Sequence, residues 1–246
     1  MHSEDLVSAS FLAWRPFIET IDGCRFETLG DVHRWRSNIP LPFFNGVFGF
    51  APEDAADDLL APFGGDPVLW VAPAAVGLEQ TMESRGFHVG HVPGMTARLA
   101  DLPPVGELPN VEVRQVDSDH DALVAATTVS LTANGFPETA VAPFVVALEK
   151  FADPHAMRTF LATVDGVPAA ASVLSIQGGS AGLYNVGTVA RFRGRGLGRL
   201  VSLVALDAGR AEGLEFGALM ASEQGEPIYR AIGFRPVREF LFAVRF

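Results

Sequence analysis

Residues 186–200 read VGTVARFRGRGLGRL, between a predicted strand and a predicted helix. Glycines let the backbone turn sharply and present several N–H groups at once. The first turn of the following helix adds unpaired N–H donors and the positive end of the helix dipole. Four arginines surround these groups: Arg191, Arg193, Arg195 and Arg199. The stretch therefore predicts a cradle for a pyrophosphate.

Two familiar phosphate-binding motifs do not fit this stretch. A dinucleotide fingerprint requires a third glycine at position 199, where Arg199 stands, and an acidic residue about 20 positions further on. A nucleotide-hydrolase loop requires Gly-Lys-Ser/Thr, which the stretch lacks. The alternative that stays open is a Gly/Arg surface loop that only joins a strand to a helix.

Composition limits the possible partners. The chain of 246 residues has a formal net charge of -11, so nucleic acid and anionic membrane are poor global partners. Its apolar runs are shorter than the roughly 18 residues that span a bilayer. The start, MHSEDLVSASFLAW, lacks the features of a signal peptide, and we expect a cytoplasmic protein. The single cysteine, Cys24, excludes an internal disulfide and a cysteine-rich metal site.

The second part of the chain alternates helix and strand patterns. The pair Asp165-Gly166 between apolar runs predicts a hairpin, and Asp119 is a suitable helix N-cap. The predicted strands are 111–116, 158–164, 167–176, 183–189, 216–221 and 234–246, and the predicted helices are 119–131, 138–150, 198–210 and 226–232. This order mixes hairpins with a βαβ unit and predicts an α/β fold with a mixed sheet.

The first part of the chain repeats some of this pattern weakly. The segment DLPPVGELPN, residues 101–110, indicates a boundary, and we divide the chain into residues 1–105 and 106–246. The predicted strands of the first part are 26–35, 41–50, 68–71 and one after Phe87, with helices at 54–60 and 77–84. Gly86-Phe87 parallels Gly233-Phe234, and Phe44-Asn45 parallels Tyr184-Asn185. The pattern indicates a degenerate internal repeat, although two unrelated α/β pieces remain the alternative.

The glycine stretch resembles the signature of the GNAT superfamily of N-acetyltransferases, Arg/Gln-x-x-Gly-x-Gly/Ala, which Arg193, Gly196 and Gly198 fill. The resemblance implies a GNAT-like fold in the second part and a site for acetyl-CoA. The backbone of the preceding strand would hold the pantetheine arm. The cofactor-binding residues implied are Val186, Gly187, Thr188, Arg193, Gly194, Arg195, Gly196, Leu197, Gly198, Arg199 and Ser222. The family often has Pro where Ala190 stands, a mild departure.

A second family element is a short helix that ends Tyr-x-x-x-Gly-Phe, here Tyr229 to Phe234. In many members this tyrosine protonates the departing CoA thiolate, and Tyr229 would be the general acid. The alternative for Tyr229 is a packed helix residue. The family commonly has Asn seven residues before the tyrosine, where Ser222 stands here, so that contact with the cofactor arm is less certain.

The resemblance implies direct acetyl transfer to an amine, without a metal. The acceptor would be a small molecule or a peptide, and the protein a monomer or homodimer. The sequence does not identify the base that deprotonates the amine. Three candidates are more typical of surface residues: Glu138, Asp153 and His155. The rival functions are a CoA-binding regulatory or interaction module without catalysis, and an acyltransferase for a longer acyl group or a hydroxyl acceptor.

The first part has lost the features of a cofactor site. Residues 50–58 contain four carboxylates and no glycine, which would repel a pyrophosphate, and Met82 stands where Tyr229 would be. Because only 12 residues follow Phe234, enough for one strand, we expect the first part to supply a neighbouring strand to the last one. His88 and His91 should point to opposite faces of a strand, and Phe43, Phe44, Phe48 and Phe50 should be core.

Overall fold

Eleven strands form one continuous mixed sheet in the part of the chain that the structure describes. The structure, a computed structural model, describes residues 3–52, 55–151, 153, 156–176 and 178–246, with the backbone alone at residues 3–5. The strands are β1 Arg25–Leu29, β2 Val32–Arg36, β3 Gly46–Phe48, β4 Val68–Pro73, β5 His88–Arg98, β6 Val111–Gln115, β7 Met157–Val164, β8 Val167–Ser175, β9 Ala181–Thr188, β10 Phe216–Met220 and β11 Arg235–Arg245.

Eight α-helices accompany the sheet in the described residues. They are α1 Ser3–Leu12, α2 Arg15–Ile18, α3 Ala56–Leu60, α4 Leu78–Glu83, α5 His120–Ala133, α6 Val141–Phe151, α7 Leu197–Ala211 and α8 Glu226–Ile232. Short 3-10 turns precede α6, at Glu138–Ala140, and α7, at Ala190–Phe192. This arrangement confirms the predicted mixed α/β sheet.

The predicted elements of the second part are confirmed, with ends shifted by a few residues. Asp119 is the N-cap of α5, and its carboxylate accepts a hydrogen bond from the Ala122 amide at 3.1 Å. The hairpin between β7 and β8 turns at Asp165 and Gly166, whose φ angles are 50° and 79°. Two positive φ angles are what a two-residue turn of this hand requires, which explains the Asp-Gly pair.

The first part departs from prediction in three places. The prediction of one strand over 26–35 is wrong, because a turn at Gly30, with a φ of 64°, divides this stretch into the antiparallel pair β1 and β2. The strand predicted over 41–50 is wrong in its first half, because the Asn45 side chain folds residues 37–45 into a loop and leaves β3 with three residues. The N-terminal helices were not predicted, although four buried residues of α1 repeat at helical spacing: Leu6, Val7, Ser10 and Phe11. The predicted helix 54–60 is observed from Ala56, and position 54 lies outside the described residues.

The two parts of the chain exchange their last strands. The sheet order is β1-β2-β3-β4-β11-β5-β10-β9-β8-β7-β6, so β11 lies between β4 and β5, and β5 lies between β11 and β10. These central pairings are antiparallel. The expectation that the first part supplies a neighbour to the last strand is confirmed. The six central strands have the order β3-β4-β11-β5-β10-β9. If β3 is exchanged with β9, β4 with β10 and β5 with β11, the same order is obtained in reverse. In this sense the central order is a palindrome.

Helices cover both faces of the sheet at β9. Ala181 faces α7: a Cβ added to Gly209 of that helix would lie 2.6 Å from the Cβ of Ala181. The next residue, Gly182, faces α1, because its own Cβ would lie 2.2 Å from Ser10 Oγ. Successive strand residues point to opposite faces. The α7 and α8 helices therefore lie on one face, and α1, α5 and α6 pack into the apolar cluster on the other.

Candidate active site

Strand β9 leaves its parallel neighbour β10 after its first two residues. The two strands pair at Ala181–Gly217 and Gly182–Ala218, and in the described chain no later β9 residue pairs with β10. On the other side, β9 stays paired with β8 through a bulge between Tyr184 and Gly187. Asn185 lies in the bulge with a φ of 49°. A bulge bends its strand, so the backbone from Tyr184 onward opens a cleft between β9 and β10.

The glycine loop lies at the mouth of this cleft. Gly194 and Gly196 have φ angles of 75° and 81°, which L side chains rarely adopt, and Gly196 is the N-cap of α7. The first helical hydrogen bond runs from the Leu200 amide to the Gly196 carbonyl at 3.0 Å. The N–H groups of residues 197–199 come before this first helical hydrogen bond. They are the donors that a helix leaves unpaired at its start. The geometry is that of an anion-binding helix terminus.

The loop arginines are held in place by the loop itself. The guanidinium groups of Arg191 and Arg195 lie 4.9 and 5.4 Å from the centre of the Phe192 ring. The Arg193 Nε donates to the Thr188 carbonyl at 3.2 Å, which ties the loop to the end of β9. These arginines and Arg199 are exposed. They concentrate positive charge around the amides in a chain whose overall charge is negative.

Close packing fixes the walls of the cleft. A Cβ on Gly187 would lie 2.9 Å from Ser130 Cα, so only glycine lets β9 approach α5 this closely. The Val186 carbonyl accepts from the Asn134 side chain at 3.1 Å. A Cβ on Gly198 would lie 3.5 Å from Thr188 Oγ1 and 3.8 Å from Ile228 Cδ1. The first turn of α7 therefore faces both the end of β9 and helix α8.

Tyr229 is buried on α8, next to the first turns of α7. Its ring packs against Phe234, and its hydroxyl lies beside Ser202. The Ser202 hydroxyl donates to the Gly198 carbonyl at 2.7 Å. Burial raises the pKa of Tyr229 to about 12, and the neighbouring Ser202 offsets part of that rise. The phenol therefore keeps its proton at neutral pH.

Ser222 follows β10 in the loop that leads to α8. Its hydroxyl accepts a hydrogen bond from the Gly225 amide at 3.2 Å, and its carbonyl accepts from the Glu226 amide at 2.9 Å. The side chain is exposed. Ser222 thus shapes the start of α8, and its hydroxyl proton stays available to a ligand.

Other residues singled out from the sequence lie apart from the cleft. Glu138 is exposed at the start of a 3-10 turn, and His155 lies outside the described residues. His91 contacts Glu79 and Glu239 at 3.1 and 2.8 Å. Phe44 and Phe48 are buried as expected, whereas Phe43 is half-buried and Phe50 is 49% exposed, so the prediction of four core phenylalanines is wrong for Phe50.

Sequence reasoning missed a group of residues on the α1 face of β9. Ser10 donates to or accepts from the Tyr184 hydroxyl at 2.6 Å, and Trp14 packs edge-on against the Tyr184 ring at 5.0 Å. The signal was the apolar spacing of the N-terminal helix. Among the described residues, no three His, Cys, Asp or Glu side chains are grouped as metal ligands, and no helix is long and apolar enough to cross a membrane.

Comparison with known proteins agrees with this geometry. Residues 97–225, just over half of the chain, match the family model described as an acetyltransferase (GNAT) domain. A strand that parts from its parallel neighbour above a glycine-rich helix start is the arrangement expected from the GNAT signature. The chain belongs to the GNAT acetyltransferase family. A search of curated proteins gave no match.

Several solved structures share the whole fold. A GCN5-related N-acetyltransferase from Kribbella flavida is 21% identical, with a TM-score of 0.71, and the match covers 96% of this chain and 95% of that one. One from Sphaerobacter thermophilus is 15% identical, with a TM-score of 0.61 and coverages of 87% and 76%. A tandem GNAT protein from the clavulanic acid biosynthesis pathway is 14% identical, with a TM-score of 0.59 and coverages of 96% and 86%.

Proposed function

We propose that the protein is an acetyl-CoA-dependent N-acetyltransferase that moves an acetyl group directly to an amine. The observation that carries this function is the position of the glycine loop at the mouth of the cleft between β9 and β10. The cleft gives an extended acyl carrier a path, and the loop gives its diphosphate a partner. Membership of the GNAT family supports the same chemistry.

Each part of acetyl-CoA would have a partner among the residues around the cleft. The amides of Leu197, Gly198 and Arg199 would bind the diphosphate, with Gly194 and Gly196 shaping the turn. Arg193 and Arg195 would add charge around it. The β10-facing backbone edge of Val186, Gly187 and Thr188 would pair with the pantetheine arm, and Ser222 would contact that arm from the opposite strand. The cosubstrate supplies the acetyl thioester.

Acetyl transfer requires the amine to lose a proton and the departing thiolate to gain one. The amine nitrogen forms the new C–N bond at the thioester carbonyl, whose oxygen would be polarised by backbone N–H groups of β9. The C–S bond breaks, and Tyr229 donates its phenolic proton to the thiolate. The proton lost by the amine restores the phenol through solvent. Because the pKa of Tyr229 is raised to about 12, the proton is present at the start of each cycle.

We also propose that residues 1–105 are a degenerate copy of the GNAT-like unit in residues 106–246. The palindromic order of the central strands supports this division. So does the matching helix before each exchanged strand, α4 and α8. The copy has no glycine loop between β3 and α3, and Met82 on α4 cannot donate a proton. Similarity to a tandem GNAT structure supports the same reading of the fold.

A second candidate is a CoA-binding module without catalysis. One observation favours it: Tyr229 is only 8% exposed and its ring packs against Phe234 as a core residue would. An active enzyme would need the phenol to reach the departing sulfur. Binding of acetyl-CoA without turnover of any amine would support the module.

The test combines binding with turnover. Calorimetric titration of the purified protein with acetyl-CoA measures saturable binding, and a thiol-release assay with a panel of primary amines measures transfer. We expect binding and amine-dependent thiol release. Absence of acetyl-CoA binding would overturn the function, whereas binding without release from any amine would leave only the module.

A further inference from the structure

Two helix ends of opposite polarity meet strand β9 from its two faces. The amino end of α7 lies against one face, where a Cβ on Gly198 would be 3.5 Å from Thr188 Oγ1. The carboxyl end of α5 lies against the other face, where a Cβ on Gly187 would be 2.9 Å from Ala133 Cβ. A helix attracts anions at its amino end and cations at its carboxyl end. This part of β9 thus has one face suited to a diphosphate and the opposite face suited to an amine.

Asn134 follows the last residue of α5 and joins this helix end to β9. Its side-chain nitrogen, Nδ2, donates to the Ser130 carbonyl at 2.7 Å and to the Val186 carbonyl at 3.1 Å. An asparagine amide has two N–H donors, so both of them are used. Because both partners are carbonyl oxygens, which only accept, turning the amide round would lose both bonds. The orientation of the side chain is therefore fixed.

The amide oxygen of Asn134 remains open to a ligand. In the described part of the chain no donor reaches Oδ1, and the residue is exposed together with its neighbour Gly135. Because Oδ1 and Nδ2 are bonded to the same carbon and lie about 2.2 Å apart, Oδ1 is also close to the Val186 carbonyl. An amide oxygen accepts hydrogen bonds and donates none. It therefore suits an N–H group that enters the cleft from the α5 face.

The β9 carbonyls that face the cleft already have partners. The Val189 amide donates to a β8 carbonyl at 2.9 Å. Because backbone groups along an antiparallel strand alternate between its two edges, the carbonyls of Val186 and Thr188 point away from β8. Thr188 accepts from Arg193 Nε at 3.2 Å, and Val186 accepts from Asn134. The strand thus offers the thioester its N–H groups, while the open acceptor beside them belongs to Asn134.

The segments around this place carry no charged side chain. Residues 122–137, 178–190 and 216–222 contain no Asp, Glu, Lys, Arg or His. The carboxylates that follow two of these segments, Glu138 and Glu223, are exposed. An amine that enters here therefore meets neutral oxygen atoms and the negative end of α5, and these segments supply no carboxylate to pair with it.

We infer that Asn134 binds the acceptor, a primary amine, and that its Oδ1 accepts a hydrogen bond from the attacking nitrogen. The inference rests on the function proposed above, because the amine has a thioester to attack only when acetyl-CoA occupies the cleft. The hydrogen bond uses one N–H of the neutral amine and leaves the lone pair to form the C–N bond as the C–S bond breaks. The nitrogen then loses one proton to solvent, to which this end of α5 is open, and the thiolate gains one.

Asn134→Ala and Asn134→Asp separate the role of the oxygen from that of the two donors. Both variants lose the N–H bonds to Ser130 and Val186, but only the Asp variant keeps an oxygen at this place. We expect Asn134→Ala to raise KM for the amine by about tenfold, with the Kd for acetyl-CoA unchanged. Asn134→Asp should raise this KM clearly less. Thiol release at saturating acetyl-CoA measures KM, with the fastest of benzylamine, spermidine, glucosamine and trialanine as the probe.

Thr132→Ala is the matched control for damage to the helix end. Thr132 is exposed in the last turn of α5, and its hydroxyl donates to the Thr128 carbonyl at 2.6 Å within the helix. This variant removes one side-chain bond from the same turn and should leave KM for the amine unchanged.

Three outcomes would contradict the inference. Equal KM defects in Asn134→Ala and Asn134→Asp would assign the side chain to holding α5 against β9, and would overturn its role in amine binding. An unchanged KM in Asn134→Ala, with acetyl-CoA binding intact, would overturn the inference and leave the proposed function standing. Absence of acetyl-CoA binding by the wild type would overturn the proposed function, and the inference with it.

Discussion

Met82 and Tyr229 hold the same place in two helices that end alike. The Phe87 amide donates to the Met82 carbonyl at 3.2 Å, and the Phe234 amide donates to the Tyr229 carbonyl at 3.0 Å. Each helix is followed by a glycine with positive φ, Gly86 or Gly233, and the chain then continues into one of the two exchanged strands. The same helix ending thus carries the inert thioether of Met82 in the first part and the ionisable phenol of Tyr229 in the second part.

The first prediction concerns the room at Gly198. Gly198→Val should weaken acetyl-CoA binding by about tenfold or more, because its branched side chain would fill the space between Thr188 and Ile228. Gly198→Ala is the matched control: a single methyl lies at ordinary contact distance there, and the GNAT signature accepts alanine. Calorimetric titration measures both, and equal affinity for the two variants would contradict the cradle.

The second prediction concerns Tyr229. Tyr229→Phe should lower kcat by about 100-fold while the Kd for acetyl-CoA stays the same, because a general acid contributes about 10² to 10⁴ in rate. Single-turnover thiol release measures the rate, and thermal unfolding separates it from stability. An unchanged kcat would assign Tyr229 to packing alone.

The third prediction concerns alkaline pH. Burial raises the pKa of Tyr229 to about 12 and also raises the pKa of Tyr184, whereas tyrosines in the unfolded chain ionise near pH 10. The unfolded state therefore releases these protons first. Stability from both groups is fully present below about pH 10 and is lost as pH rises toward 12. The melting temperature should fall in this window.

The Phe variants provide the control for that window. Tyr229→Phe and Tyr184→Phe should each make the fall in melting temperature shallower, by at most about 1.4 kcal/mol of unfolding free energy per pH unit. Thermal unfolding followed by circular dichroism measures the slope from pH 8 upward. Identical slopes in wild type and both variants would show that neither buried phenol governs alkaline unfolding.

The fourth prediction concerns the division at residue 105. Residues 106–246 alone lack β5, which separates β10 from β11, and lack β4, the other partner of β11. We expect this piece to lack a cooperative thermal transition, and coexpression with residues 1–105 to restore one. As a control, the intact protein cut after folding at the exposed Gly106 should stay associated. A fully cooperative transition in residues 106–246 alone would contradict the strand exchange as a requirement for folding.

Local signals predicted most of the second part of the fold. The Asp165-Gly166 turn, the Asp119 cap and the glycine stretch before α7 each depend on neighbouring residues alone, and each is observed. The strand exchange was only partly foreseen. The chain shows that the last strand needs a partner, but whether β11 takes β4, β5 or both depends on contacts between residues far apart in sequence.

The aromatic cluster around Trp14 shows why distant packing escapes such reasoning. Phe43 reads as a core phenylalanine in a strand, whereas its left-handed backbone belongs to a loop closed by the hydrogen bonds of Trp35 and Asn45. Trp14 belongs to a segment whose helical spacing is short and interrupted by small residues. Its packing depends on Tyr184, which lies far along the chain.

The place of β11 in the sheet also governs how the protein can be made. Strand β4 ends at Pro73, and its neighbour β11 begins at Arg235, 162 residues later in the chain. At about 5 to 20 residues per second, translation completes β11 roughly 10 to 30 s after β4. During that time β4 can remain uncovered or pair with β5 as a temporary partner. The centre of the sheet is therefore completed only after β11 has been synthesised.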